Sequence, residues 1–167
     1  MLAPGRRQAN GGFPIAGIES AVHRASMGTI RIAAALIDDG EGGIFLVRKR
    51  GTAAFMQAGG KIDAGETPLD ALVRELGEEL RFSPPLGEVN FLGDFSAPAA
   101  NEPGEFVRAS LFHIRCNQNF SVAAELEEAI WVSIADAGEL NLAPLTRAYV
   151  LPLALELCRH RGAAREA

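Results

Sequence analysis

The amino-acid sequence predicts an α/β (α+β) fold, an α/β/α sandwich built on a central mixed β-sheet. Three observations lead there. Short apolar runs rich in Ile, Val, Phe and Leu recur, each bounded by Gly, Asp, Asn or Pro. Two longer stretches carry helical signals instead, at 68–82 and 145–160. Strands and helices are interspersed, which favours layers of helix on a shared sheet. A chain of 167 residues suits one domain, and its 48% apolar content is enough for a core of ordinary size.

Residues 1–27 are rich in Gly, Ala, Arg and Ser and hold no sustained period. They read as a flexible N-terminal extension, with one helical turn around Glu19 to Arg24. Met27 stands directly before the first strand and is a candidate start codon; an intact-mass measurement finding Met1 retained would exclude it. The folded domain is expected over 28–161. Ile30 to Ile37 and Gly43 to Arg50 read as two strands of a hairpin, joined by an Asp- and Gly-rich turn. Residues 51–66 read as a Gly-rich loop with short extended pieces. A helix is expected from Pro68 to about Phe82, stopped by Pro84-Pro85. Strands are expected near Val89–Phe95, Phe106–Cys116 and Ala129–Ser133. The first two are separated by a loop holding Pro98, Asn101, Pro103 and Gly104. Leu145 to His160 reads as a final helix that Pro152 kinks or splits. A frayed tail is expected over 162–167.

The net charge of −5 argues against a nucleic-acid polymer as partner, since a phosphate backbone calls for a basic face. It leaves room for a small phosphorylated ligand, because a bound divalent cation can supply the positive charge. Cys116 and Cys158 have no metal-binding spacing and read as buried free thiols. No run of 18 apolar residues occurs, so no membrane partner is expected and the reducing cytoplasm is the expected location.

The helix at 68–82 is the informative element. Thr67 suits the N-cap, Pro68 the first position, and Asp70 completes a near capping box. Leu69, Leu72, Val73, Leu76 and Leu80 fall on one face. Glu75, Glu78 and Glu79 cluster on a flank beside that stripe. Their i, i+3, i+4 spacings repel by roughly 0.2–0.5 kcal/mol per pair. Glu78 and Glu79 also meet the negative end of the helix dipole, which costs roughly 0.3–1 kcal/mol each. Such a local conflict marks a functional position, and a hard divalent cation with oxygen ligands resolves it. The plain alternative is a solvated acidic face.

The context of those acids carries further information. Gly60 is followed after five residues by Glu66, then after seven more by Arg74, Glu75 and Leu76, then Gly77, Glu78 and Glu79. This resembles the signature of the Nudix hydrolase family, complete through Glu79. Two positions depart from it. Arg81 stands where the family has Gly, so it either extends the helix or adopts a left-handed conformation at roughly 1–2 kcal/mol. Ala58 stands where many members have Pro.

The resemblance implies a Nudix-type sandwich and an Mg²⁺-dependent enzyme, with Mn²⁺ as a substitute. It implies that Glu78 and Glu79 are principal metal ligands, with the Gly60 carbonyl. Glu75 is implied as a further ligand or general base, and Glu66 with Arg74 as an ion pair fixing loop to helix. Acids before the last strand (Glu125, Glu127 and Glu128) are candidates for a second metal site or base, or are solvated turn acids. Arg48, Lys49, Arg50 and Lys61 are candidates to reach phosphates. Phe55 either stacks on a base or belongs to the core. Asn101 and Glu102 are placed by position alone near a substrate cleft. His113 and His160 have no ligand-spaced partner and read as structural or exposed.

The expected reaction is hydrolysis of a phosphoanhydride bond in a nucleoside diphosphate linked to another moiety. The segment Gly59 to Thr67 is similar to that of MutT-type members, which implies a canonical or oxidised nucleoside triphosphate, cut to a monophosphate and pyrophosphate. Pro98 lies near a proline of ADP-ribose-cleaving members, so ADP-ribose or a sugar nucleotide is the alternative. A non-catalytic nucleotide sensor is the alternative of another class. Family members are often dimers, which makes a homodimer the implied assembly.

Overall fold

The computed structural model describes residues 28–165, and side chains as far as Gly162. The expected extension over 1–27, including Met27, lies outside the described residues. The order is β1 (Thr29–Asp38), β2 (Gly43–Lys49), β3 (Ala58–Lys61), α1 (Pro68–Leu80), β4 (Asn90–Pro98), β5 (Phe106–Arg115), β6 (Leu126–Ser133), α2 (Ile134–Ala137) and α3 (Leu151–Arg165). A 3₁₀ turn at Leu86–Glu88 precedes β4, and a π-helical turn at Thr146–Val150 precedes α3.

The six strands form one mixed sheet in the order β4-β5-β1-β2-β6, with β3 also paired to β1. β1 runs parallel to β5 along its whole length and antiparallel to β2 and β3. Being covered on both faces, it is buried continuously from Ala33 to Asp38. Its residues alternate between two cores. Ala33, Ala35 and Ile37 face α1, where Leu72, Leu76 and Leu80 pack with Phe45, Phe82 and Phe112. Ala34 and Leu36 face the other layer, with Leu111, Ile134, Leu145, Val150 and Ala154. The sandwich expected from the sequence is therefore present: helix, sheet, helix.

Several boundaries differ from expectation for physical reasons. β4 runs on to Pro98, because the ladder with β5 continues to Phe106. β6 starts at Leu126, where it meets Lys49. The short α2 was not expected. It begins at Ser133, whose hydroxyl accepts from the Asp136 N–H and donates to the Asp136 carboxylate. The last helix is not split at Pro152: it runs unbroken over 144–165, widening to a π-helical turn at Thr146–Val150. A proline lacks the N–H that a regular turn needs and its ring presses on the preceding turn, which the wider turn relieves. Cys116 and Cys158 are free, but half-buried rather than buried. His113 is buried and bonds Asp38, whereas His160 is exposed.

Candidate active site

The site is assembled where β3 turns into the loop before α1. Gly59 has φ 142°, a region that only glycine adopts readily, and a side chain there would collide with the Ala33 carbonyl. A Cβ on Gly60 would collide with the Glu75 carboxylate. The two glycines thus let bare backbone approach both β1 and the acid face of α1.

α1 is started by its cap. Asp70 N–H donates to Thr67 Oγ1 at 3.1 Å, and the Thr67 hydroxyl donates to Asp70 Oδ2 at 2.6 Å. Of the two conformations open to Arg81, the structure has the left-handed one, φ 53° and ψ 35°. The Arg81 and Phe82 N–H groups both turn back to the Leu76 carbonyl, and Phe82 folds into the core beside Phe120. Burying Phe82 offsets the strain at Arg81.

Arg74 organises the loop. Its Nε and one terminal nitrogen grip both oxygens of Glu66 at 2.8 and 2.9 Å, the two-pronged geometry of a guanidinium on a carboxylate. It also donates to the Lys61 carbonyl at 2.9 Å and to Glu75 Oε1 at 2.7 Å. Glu66 accepts the Asp63 N–H as well. Hydrogen bonding from Arg74 first, then from Asp63, lowers the Glu66 pKa to about 2. Glu75 is largely covered, while Glu78 is exposed at the edge, 3.5 Å from Arg74.

Glu79 differs from its sequence-based placement on a flank beside the apolar stripe: it is fully buried, at 0% exposure. Gly59 N–H donates to its Oε2 at 2.9 Å. Its Oε1 receives no aligned hydrogen bond, although Lys49 Nζ stands 2.9 Å away. Burial pushes the Glu79 carboxyl above its ordinary range, with the Lys49 ammonium opposing the shift. Lys49 in turn is held above its usual range: burial alone would lower it, but Glu79, Glu75 and Glu125 together outweigh that.

The neighbouring candidates divide. Arg48 points away, bonded to Glu128 at 3.0 Å and lying over the Phe55 ring. Arg50 is exposed and donates to the Ala124 carbonyl. Of the basic run, Lys49 alone reaches the acids of α1. Phe55 belongs to the core, 9% exposed. Glu127 stands 4.0 Å from Arg50. Glu125 is exposed, and its charge is felt at Lys49. A cleft of about 780 Å³, its open mouth included, runs alongside. Lys49, Gln57, Gly60, Lys61, Pro98, Asn101 and Glu102 line it, with Ile30, Ile32 and Val107 as apolar wall.

The sequence reading did not single out Gln57. It is buried, accepts the Thr146 hydroxyl hydrogen bond at 3.2 Å, and lines the cleft. Its position next to Gly59-Gly60 was the available signal.

Among the described residues no three acid, His or Cys side chains converge to metal-holding distance; Glu75 and Glu79 are each turned to a cation. The donor set nevertheless fits a hard cation. It is all oxygen, the buried Glu79 Oε1 has no hydrogen bond, and the Gly60 cradle leaves the Glu75 carboxylate against bare backbone.

The acids of α1, the glycine turn and the cleft beside them form one contiguous site on a mixed sandwich. The NUDIX domain model matches residues 28–154. The chain belongs to the Nudix family and is a pyrophosphohydrolase by class. Its structure is similar to the solution structure of the ORF135 protein of E. coli, with 27% identity and a TM-score of 0.59, covering 85% of this chain and 96% of that one. It is similar to a MutT protein from Methanosarcina mazei Go1, with 21% identity and a TM-score of 0.63, covering 81% and 96%. It also resembles the E. coli dihydroneopterin triphosphate pyrophosphohydrolase, with 14% identity and a TM-score of 0.65, covering 75% and 95%. No curated protein sequence matches the chain.

Proposed function

We propose that this enzyme hydrolyses a nucleoside triphosphate, canonical or oxidised, to a monophosphate and pyrophosphate, with Mg²⁺ as cofactor and Mn²⁺ as substitute. The observation that carries the reading is the placement of Glu75 and Glu79 of α1 against Gly60 and Gly59, with Glu78 exposed on the same helix, beside a cleft that those glycines, Lys49 and Lys61 line.

Glu78 and Glu79, with Glu75 and the Gly60 carbonyl, would hold the cation. Bound there, Mg²⁺ supplies a more acidic water and neutralises charge on the phosphates. The protein's own groups do the rest. Arg74 holds Glu66 and Glu75, so the loop and the helix keep one geometry. Lys61, on the cleft wall, would meet phosphate oxygens. A carboxylate takes the water's proton. Glu75 is one candidate; Glu125, just before β6, is freer than Glu128, which lies inside the strand rather than before it and is held by Arg48. Asn101 and the apolar wall take the nucleoside.

Pro98 lines the same cleft, which favours ADP-ribose or a sugar nucleotide as the second reading. The products separate the two: pyrophosphate in the first case, two phosphorylated fragments in the second. The site assignment is tested by Glu79→Gln. Turnover should fall by at least about a hundredfold, more than the loss of a group that only supports a ligand, with an unchanged circular dichroism spectrum. A folded and active Glu79→Gln enzyme would refute the assignment.

A further inference from the structure

β2 ends by delivering a cation to the most buried acid of the site. Val47 packs on the α1 side of the sheet, and Lys49, two residues on, shares that face; where the ladder with β6 shifts register, the extra residue is Glu127 of β6, so the alternation along β2 is kept. Lys49 Nζ then lies 2.9 Å from Glu79 Oε1 and donates to the Gly59 carbonyl at 3.3 Å. Glu79 is wholly buried and its other oxygen is served by the Gly59 N–H. A buried carboxylate is costly unless it is paired, and within the protein the Lys49 ammonium is the partner.

The same Oε1 is the oxygen a divalent ion would take. An ammonium and a metal ion on one oxygen repel strongly in so dry a place. Lys49 is not locked in, however: its side chain is 35% exposed and lines the cleft. It can therefore swing outward.

We infer that Lys49 is a resident counter-cation: it holds Glu79 until metal binds, competes with the metal for that carboxylate, and moves into the cleft when displaced. This rests on the metal site proposed above. It gives Lys49 two linked effects, support of the metal-free protein and a brake on metal affinity.

The test uses the full chain and Mg²⁺ or Mn²⁺ alone. Wild-type protein and Lys49→Met are titrated by calorimetry, and their melting temperatures are measured with and without metal. Lys49→Met should bind metal roughly tenfold more tightly, in the usual range of coupling between sites. It should also melt lower without metal and gain more on adding it. Equal or weaker metal binding by the variant would overturn the inference. A measurement on wild type stands beside this in case the variant fails to fold. Acylation of the Lys49 amine, mapped by mass spectrometry, should become several-fold faster in Mg²⁺. An unchanged or slower rate would overturn the inference. A wild-type protein that binds neither ion would fail the metal site itself, a result seen before any variant is made.

Discussion

Glu79 lies seven residues after Leu72 and three after Leu76, so helical geometry sets it on the core stripe itself. Its complete burial follows from that spacing and from the Gly59 N–H that meets it. The motif spacing marked the acid as functional, but reading it as a flank residue hid its burial. Lys49 was similarly legible, two residues after the core residue Val47 on the same strand face. Arg48 and Arg50, by the same alternation, face elsewhere. What single-residue patterns did not show is which oxygen meets which donor, because that depends on contacts between β2, β3 and α1. At this scale Gly60→Ala should displace the Glu75 carboxylate. Activity should drop by about tenfold or more, the loss typical of disturbing a ligand's support, with folding retained. Steady-state kinetics beside a melting curve checks this.

α1 was the most legible element, since its cap, its proline start and its apolar period all agree. Its C-terminal end was ambiguous: only the burial of Phe82 selects the left-handed Arg81 over a longer helix. Replacing Arg81 by Gly should relieve roughly 1–2 kcal/mol of strain, less about 0.4–1 kcal/mol for the greater freedom of glycine in the unfolded chain. A melting temperature raised by a few degrees is the expected outcome, with activity unchanged. The short α2 escaped notice because four residues carry no period, although the Ser133 and Asp136 cap was present. A disturbance at Pro152 was foreseeable from the ring alone, but not its form, a widened turn in an unbroken helix.

Across the whole molecule, the sheet order could not be read from the sequence, since the parallel pairing of β1 with β5 joins residues 77 positions apart. One polar cluster ties the layers together. Asp38, at the end of β1, is buried; it accepts from Gly40 N–H and Arg161 at 2.7 Å each and pairs with His113 of β5. Burial alone would raise the Asp38 pKa, but the His113 bond, the Gly40 N–H and Arg161 together hold it below 3.8. The folded chain therefore binds fewer protons than the unfolded one here and at Glu66, whose value drops from 4.5 to about 2. Their stabilisation is present above pH 4.5 and is lost as the pH falls through the folded values. Acid unfolding followed by circular dichroism should show this loss, with a shallower slope in Glu66→Gln and in Asp38→Asn. An identical slope in both would mean other groups govern it. The central claim concerns chemistry, and one measurement addresses it most directly: the products formed from a nucleotide panel, separated by ion-exchange chromatography, with and without Mg²⁺. The panel holds canonical and oxidised deoxynucleoside triphosphates, ADP-ribose, NADH, dinucleoside polyphosphates and nucleotide sugars. The account predicts Mg²⁺-dependent pyrophosphate release from a nucleoside triphosphate. Folded protein that turns over none of them, or does so equally well without a divalent ion, would contradict it.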